Sequence, residues 1–453
     1  MTQAVLAPRA SLENRGLQAH IKGLGGLGNE TYVDARSEQV PVSRIARFAE
    51  RLGYWQERYP LVACTPEDPK TRPFDLTSPQ DLTTLLMSKA MRFLPNKPAL
   101  ENITANRYCS GASVDDVISE MKGLEIGNPL ASAIANYSGE HTETLTGVRV
   151  NMQTYIELIN RVSTNFPNSG LGFSTSTISL KPSQFGTYVG EAELRELFPE
   201  IFSREPGDEA LWTARFLFAL NNITYLANYA KGKVDIWVDM EDHRLTTFTA
   251  HILYPSLLGN SDNVGVIFQG NLVRTGRDVN VLLRAMPESE HHFRTCKGVY
   301  YDGSVKVYVP MDERTRSFVE LNRFMVGAPE RYGVSLVLAS ASMDLECQRE
   351  VLKAFREKDN EKLMLRMQVL KGCCGNELME FVRKEGVPLD TYLIFGDMIF
   401  PYTFRRLRKN PIVEAMMEGR GNWLVRTMLK PPSWLYGMFY EGNKNNEPLP
   451  ELL

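Results

Sequence analysis

The chain has 453 residues, 43% of them hydrophobic and 23% charged, a composition that suits one large globular domain with an appendage and not a disordered chain. Its net charge of -3 argues against a nucleic-acid partner, which calls for a basic excess or a basic stripe. Six scattered cysteines (Cys64, Cys109, Cys296, Cys347, Cys373, Cys374) fit neither a disulfide framework nor a structural zinc site, and point to a reducing compartment.

No run approaches the roughly eighteen apolar residues of a spanning helix, and the first thirty residues lack the apolar core of a secretion signal. A cytoplasmic or mitochondrial, non-secreted location is therefore expected. Arg9 and Arg15 favour a mitochondrial presequence, whereas Glu13 and the glycines of GLGGLG count against one.

Residues 1–40 are Gly-rich without a sustained period and are expected to form a mobile arm. GLGGLG (Gly23 to Gly28) neither follows a β-run nor opens a helix, so it is no dinucleotide fingerprint. From Val42 to Tyr54 and from Ser78 to Phe93 apolar residues recur at helical spacing, which predicts a helical region over 41–105.

Beyond Asn106 short β-branched runs alternate with longer helical patterns. The eight runs are Leu130 to Ala135, Gly172 to Leu180, Val234 to Met240, Val264 to Leu272, His292 to Tyr300, Val334 to Ser340, Leu363 to Leu370 and Thr391 to Phe395. Helical patterns between them include Gln153 to Val162, Ala210 to Ala230, Arg244 to Leu257 and Leu345 to Lys358. Eight βα units predict an α/β fold, a (β/α)8 barrel over 106–430 with its site at the carboxyl ends of the strands, followed by a tail over 431–453. A doubly wound sheet is the competing topology, because periodicity does not fix strand order.

The ends of the runs carry Glu140, Lys181, Asp239 with Glu241 and Asp242, Gln269, the stretch Arg294 to Tyr301, Ser340 to Asp344, Leu370 to Gly375, and Phe395 to Arg406. In HFRTCKGVYY two cations, Arg294 and Lys297, stand beside Gly298 and an aromatic pair, which suits a flat anionic cofactor. Arg405 and Arg406 follow Pro401-Tyr402 early in a helical pattern, where two guanidinium groups either diverge or wrap a small carboxylate from two sides. Each residue has a plainer use: Asp239 or Glu241 as a helix cap, Gln269 as a partner for buried backbone, the double arginine as a solvated helix face. Their convergence is what favours a site.

From Arg107 to Arg420 the chain resembles the FAD-dependent proline dehydrogenases. FRTCKGVYYDG is similar to their Arg-Leu-Val-Lys/Arg-Gly-Ala-Tyr element, and FPYTFRRLRKN to their Pro-Tyr-Leu-x-Arg-Arg-x-x-Glu-Asn segment. RYCSGASVDDVISEMKGLEIGNPLASAIANYSGE, TISLKPS, VDMED, GVIFQGNL and MQVLKGCC resemble five further family elements in the same order. The resemblance implies FAD contacts from Gln269, Arg294, Lys297 and Gly298. It implies a substrate-carboxylate clamp of Arg405, Arg406 and Lys181, with Glu140 as the gating partner of an arginine. Tyr300, Tyr402 and Leu370 would wall the substrate ring and Asp239 would organise the pocket.

Several positions depart from the family. Its Thr-His-Asn-x-His element is Ala339-Ser340-Ala341-Ser342-Met343 here, so FAD is expected to be held either more weakly or through Ser340, Ser342 and backbone groups instead. The tyrosine of its Pro-Tyr-Gly is placed at Phe395, which predicts that Asp239 lacks a hydroxyl partner. A leucine is replaced by Thr295 and a glutamate by Lys409.

The resemblance implies oxidation of proline or a proline-like cyclic amino acid, with a quinone-type electron acceptor. A flavoenzyme for a modified or carrier-attached amino acid, and a non-catalytic barrel used for binding, are the alternatives. Trp423, Met428, Trp434, Leu435 and Phe439, mixed with Arg426 and Lys430, fit peripheral membrane contact and fit core packing better.

Overall fold

The computed structural model describes residues 15–27, 31–33, 39–59, 109–125, 131–166, 176–241, 243–259, 263–298, 311–373 and 376–396. Two short strands, β1 (Thr31–Val33) and β2 (Gln39–Pro41), pair antiparallel. The next eight are parallel and close into a barrel: β3 (Ala131–Tyr137), β4 (Ser176–Leu180), β5 (Asp235–Val238), β6 (Val264–Gln269), β7 (Glu290–Cys296), β8 (Ser335–Ala341), β9 (Leu363–Leu370) and β10 (Leu389–Phe395). Neighbours in sequence are neighbours in the barrel, and β10 returns to β3 in register from Leu389 opposite Ala131 to Phe395 opposite Tyr137. The (β/α)8 architecture is therefore the observed one, and the open doubly wound sheet is not.

Each of the eight β-runs overlaps one barrel strand. Such runs read as nearly continuous apolar stretches because helices cover their outer faces, and every residue of β6 is buried. β7 ends at Cys296, short of the expected Tyr300, since Lys297 leaves the ladder and Gly298 adopts φ +82°, a left-handed conformation that stops a strand. The helix Gly207–Ala230 is buried around most of its circumference, with Phe216 stacked on Phe248 at 4.5 Å. Helix Val42–Arg58 packs on it through Phe48 against Phe216 and an Arg51–Glu209 ion pair (2.8 Å), and Trp55 Nε1 donates to Glu205 (3.1 Å) just before it. The expected helix over Ser78 to Phe93 lies outside the described residues.

Within the stretch expected to be a mobile arm, Arg15–Gly26 is a helix. Its glycines hide the period but make the docking. A Cβ on Gly16 would fall 2.0 Å from the Pro255 carbonyl oxygen, and one on Gly23 would fall 2.0 Å from that of Ala285. Glycine costs about 1 kcal/mol against alanine inside a helix, so this helix is held by packing: Leu17, His20 and Leu24 are fully buried. It lies against a helix that runs from His243 to Leu258 with a π-turn at Thr249–Leu253, which accommodates Pro255 where an amide donor is missing. Among the described residues no helix is long and apolar enough to cross a membrane.

Candidate active site at the barrel mouth

Inward-facing positions of this barrel are charged and polar, where branched apolar side chains are usual. Near the amino ends of the strands Arg366 holds Asp390 through Nε (3.0 Å to Oδ2), with Ser132 and Gln368 completing the carboxylate's shell. One level nearer the carboxyl ends, Arg294 Nη2 pairs with Asp239 and donates to Ser179 Oγ (3.0 Å). Asp239 also accepts from Ser179 Oγ (2.6 Å) and from the Tyr392 hydroxyl (2.6 Å). Burial, then the neighbouring Asp239 carboxylate, push the Tyr392 phenol well above its ordinary value, so it stays a donor. The Arg294 guanidinium lies 5.0 Å from the Tyr392 ring centroid and 5.6 Å from that of Trp237.

The expectation that Asp239 lacks a hydroxyl partner is corrected by this geometry. Tyr392 supplies the hydroxyl, because side chains of a strand alternate and Tyr392 faces the interior with Asp390 two residues before it.

Lys181 follows β4 and pairs with Glu140, which follows β3, both side chains being nearly inaccessible. Burial alone would lower the Lys181 pKa; the carboxylates of Glu140 and Asp239 outweigh it and hold the ammonium above its ordinary range. The turn that presents Lys181 is locked by Gln184, whose Oε1 accepts from the Lys181 amide (2.8 Å) and the Tyr155 hydroxyl (2.9 Å) while its Nε2 donates to the Tyr137 carbonyl (2.7 Å). Glu241 does not cap the following helix; both its carboxylate oxygens are taken by Ser183, from the amide (2.8 Å) and the hydroxyl (2.6 Å).

On the other side of the mouth, Gln269 ends β6, and its Nε2 donates to the Glu241 carbonyl (2.6 Å). Its Oε1 is buried and has no hydrogen-bond partner among the described residues, an acceptor left over for a ligand N–H or hydroxyl. Lys297 Nζ reaches Asp344 (2.9 Å) and Thr315 (3.0 Å), and at Gly298 a Cβ would lie 1.7 Å from Asn271 Oδ1. Here glycine is required by both conformation and contact. The residues present thus fit a flavin in kind: the ends of adjacent strands β6 and β7 carry an unsatisfied amide oxygen, a guanidinium and an ammonium, followed by a glycine turn.

Ser340 and Ser342 are buried, with the Ser340 hydroxyl on Gln348 Oε1 (2.8 Å) and the Ser342 hydroxyl accepting from the Asp344 amide (3.2 Å). Thr295 donates to Asn322 (2.8 Å), which gives the polar replacement a buried partner. Leu370 is half-buried at the end of β9, its amide directed at Met343 Sδ (3.4 Å). Tyr300, Tyr402, Arg405 and Arg406 lie outside the described residues. An open groove lined by Leu352, Arg356, Phe381 and Glu385 lies on the outer helices, away from these strand ends.

Sequence reasoning missed Tyr392, Gln184 and the Arg366–Asp390 pair. The available signal was alternation: stepping by two from Asp390 reaches Tyr392, and from Arg366 reaches Gln368.

No family model and no curated protein matches the chain. Solved structures do. Proline utilization A from Bdellovibrio bacteriovorus, inactivated by N-propargylglycine, is 15% identical with a TM-score of 0.57, covering 91% of this chain and 43% of that one. A Bradyrhizobium japonicum proline utilization A mutant is 16% identical with a TM-score of 0.53, covering 95% and 46%. A proline utilization A with proline bound in remote sites is 15% identical with a TM-score of 0.53, covering 95% and 47%. The chain thus spans less than half the length of these proteins, and at this identity what it shares with them is a diverged form of the barrel fold that they carry.

Proposed function

We propose that the chain is an FAD-dependent dehydrogenase oxidising proline or a proline-like cyclic amino acid to the imine, with electrons passed to a quinone-type acceptor. The observation that carries this reading is the convergence, at the carboxyl ends of β3 to β7 and β10, of the Glu140–Lys181 pair, the Arg294–Asp239–Tyr392 cluster and the unsatisfied Gln269 oxygen. FAD, when bound, supplies the hydride-accepting chemistry. Gln269, Arg294, Lys297 and Gly298 would hold it. Ser340 and Ser342 would take its phosphates only by exchanging the partners they have.

Lys181, with Arg405 and Arg406, binds the substrate carboxylate, and Glu140 neutralises the clamp between turnovers. Asp239, fixed by three donors, orients Arg294 and Tyr392. Tyr300, Tyr402 and Leu370 wall the ring and exclude water. That the solved proteins sharing the fold are proline utilization A proteins supports the substrate class.

The test is spectral. The purified protein, with FAD added if needed, is expected to carry co-migrating flavin bands that bleach anaerobically with proline, hydroxyproline or pipecolate. Absence of flavin would overturn the reading in favour of a non-catalytic barrel, and bleaching only by substrates without a free carboxylate would move it to a modified amino acid. Arg405→Met or Arg406→Met should weaken substrate affinity by roughly ten- to a hundredfold, the loss of a charge-assisted hydrogen bond of about 1.5 to 3 kcal/mol. Flavin content should stay unchanged, and Lys409→Met serves as the control.

A further inference from the structure

Glu241 has contacts that reach three parts of the proposed site at once. Its carboxylate oxygens receive the Ser183 amide (2.8 Å) and hydroxyl (2.6 Å). Ser183 lies in the Pro182–Gln184 turn directly after Lys181, and its carbonyl and hydroxyl accept the amides of Thr142 (3.0 Å) and His141 (3.3 Å), next to Glu140. The main-chain carbonyl of Glu241 fixes the Gln269 amide (2.6 Å). The side chain is 2% exposed.

We propose that Glu241 is a positioning residue that, through Ser183, sets Lys181 and Glu140 for the substrate carboxylate. The proposal rests on the reading of the site as an amino-acid clamp. Among the described residues the charged groups facing it are Glu140 after β3, Lys181 after β4 and Asp239 on its own side; Gln269 after β6 is neutral. Lys181 is already paired with Glu140, so among these groups no second cation faces the Glu241 carboxylate.

Burial first, then the nearby Glu140 carboxylate, push Glu241 up to about 8, against the pull of Ser183 and Lys181. At neutral pH it is a neutral acid. Its O–H then donates to Ser183 Oγ across the same 2.6 Å contact, with donor and acceptor exchanged. Above pH 8 a new negative charge competes for Lys181 and repels an incoming carboxylate. Substrate affinity should therefore fall on the alkaline side.

The experiment titrates tetrahydrofuran-2-carboxylate, a ring carboxylate with no titrating amine, into the FAD-loaded full chain by calorimetry and by flavin difference spectra from pH 6 to 9. Wild type should bind evenly to about pH 7.5 and weaken about tenfold between pH 7 and 9, because only the protonated fraction is competent. Glu241→Gln keeps both contacts without the proton, so it should bind within about twofold of wild type at pH 7 and lose the alkaline limb. Ser183→Ala should weaken binding at every pH with flavin content unchanged. A second readout needs no ligand. The raised pKa means that folded Glu241 keeps a proton the unfolded chain loses, so its own contribution to stability falls as pH rises from about 4.5 to 8 and then levels. Glu241→Gln should lack that slope.

A purely structural acid would give the stability slope and no binding limb, which overturns the positioning role. An alkaline limb that persists in Glu241→Gln also overturns it. No ligand response at any pH in wild type defeats the amino-acid reading itself, and the proposal with it.

Discussion

Arg366–Asp390 and Arg294–Asp239 occupy successive levels of the same barrel interior, and Gln368 touches both, accepting from Arg294 (3.4 Å) and donating to Asp390 (3.0 Å). The chemistry of the two pairs is alike; their position along the strands is not. Arg366 and Asp390 lie in the amino-terminal halves of β9 and β10, and the partners given above for Asp390 are protein groups of those strands and β3. Asp239 lies one residue past β5, close enough to the Lys181 ammonium to raise its pKa. A buried ion pair is therefore not in itself a sign of function; in this architecture its level on the strand decides what it can meet.

The sharpest way to break that distinction is to remove one member of the deeper pair. Asp390→Ala strips the buried Arg366 guanidinium of the carboxylate that holds it, with Asp235 as a remaining acidic neighbour, which costs about 3 to 5 kcal/mol. A double Arg366→Met, Asp390→Leu change should restore most of that loss, since well-packed apolar pairs often replace buried ion pairs without penalty. Denaturant midpoints measure both. Asp239→Ala should cost stability and perturb the flavin spectrum as well. A loss under about 1 kcal/mol for Asp390→Ala would remove the structural role assigned to the deeper pair.

Acid sharpens the comparison next. Burial, outweighed by Arg366 and then by Ser132 and Gln368, leaves the Asp390 carboxyl below its ordinary value, so this pair survives until the pH falls below the carboxylate range. Histidines respond earlier. Burial holds His291 down at about 4, and holds His20, stacked on His251 under the N-terminal helix, well below its ordinary value. Between pH 6.5 and 4 the unfolded chain gains protons that these folded histidines do not, so stability falls as pH falls, on the order of 3 kcal/mol for His291. His291→Gln should remove that share. Wild type and Asp390→Ala should run parallel over the window, and divergence above pH 4 would mean that the deeper pair titrates with the histidines.

Tyr392→Phe tests the upper level. It strips one of three donors from Asp239, about 1.5 to 3 kcal/mol for a hydrogen bond to a charged group, and should shift the flavin spectrum while the Arg366 level is undisturbed. If only stability changes, Tyr392 belongs with the deeper pair.

Tyr392 also marks how far the sequence was legible. The eight strands were, because parallel strands covered by helices read as short apolar runs between helical periods. The positions of Lys181, Asp239, Gln269 and Arg294 near the strand ends were, because a polar residue late in such a run stands out. Arg366 was not: in LMLRMQVL a single charge inside an apolar run reads as noise unless a partner on the next strand is known. The tyrosine opposite Asp239 was sought next to the glycine, at Phe395, whereas barrel closure puts Tyr392 across from it. The N-terminal helix was hidden because the glycines that dock it are the residues that erase its period.

The smallest effect belongs to a third arginine–carboxylate pair, Arg323–Glu350, between the outer helices Met311–Val326 and Leu345–Arg356. Its Nη2–Oε2 distance is 2.5 Å, but both side chains are about half exposed, at 53% and 46%. Water solvates each charge with or without its partner, salt screens them, and holding two long side chains in one geometry costs entropy. Glu350→Ala should therefore change stability by about 0 to 1 kcal/mol, less at high salt, with flavin content and substrate affinity untouched. Beside Asp390→Ala it isolates burial as the variable, because the two substitutions delete the same kind of partner from the same kind of cation. A loss at Glu350 comparable with that at Asp390 would show that the outer pair is far less solvated than its exposure implies, and that depth in the barrel is not what separates the two.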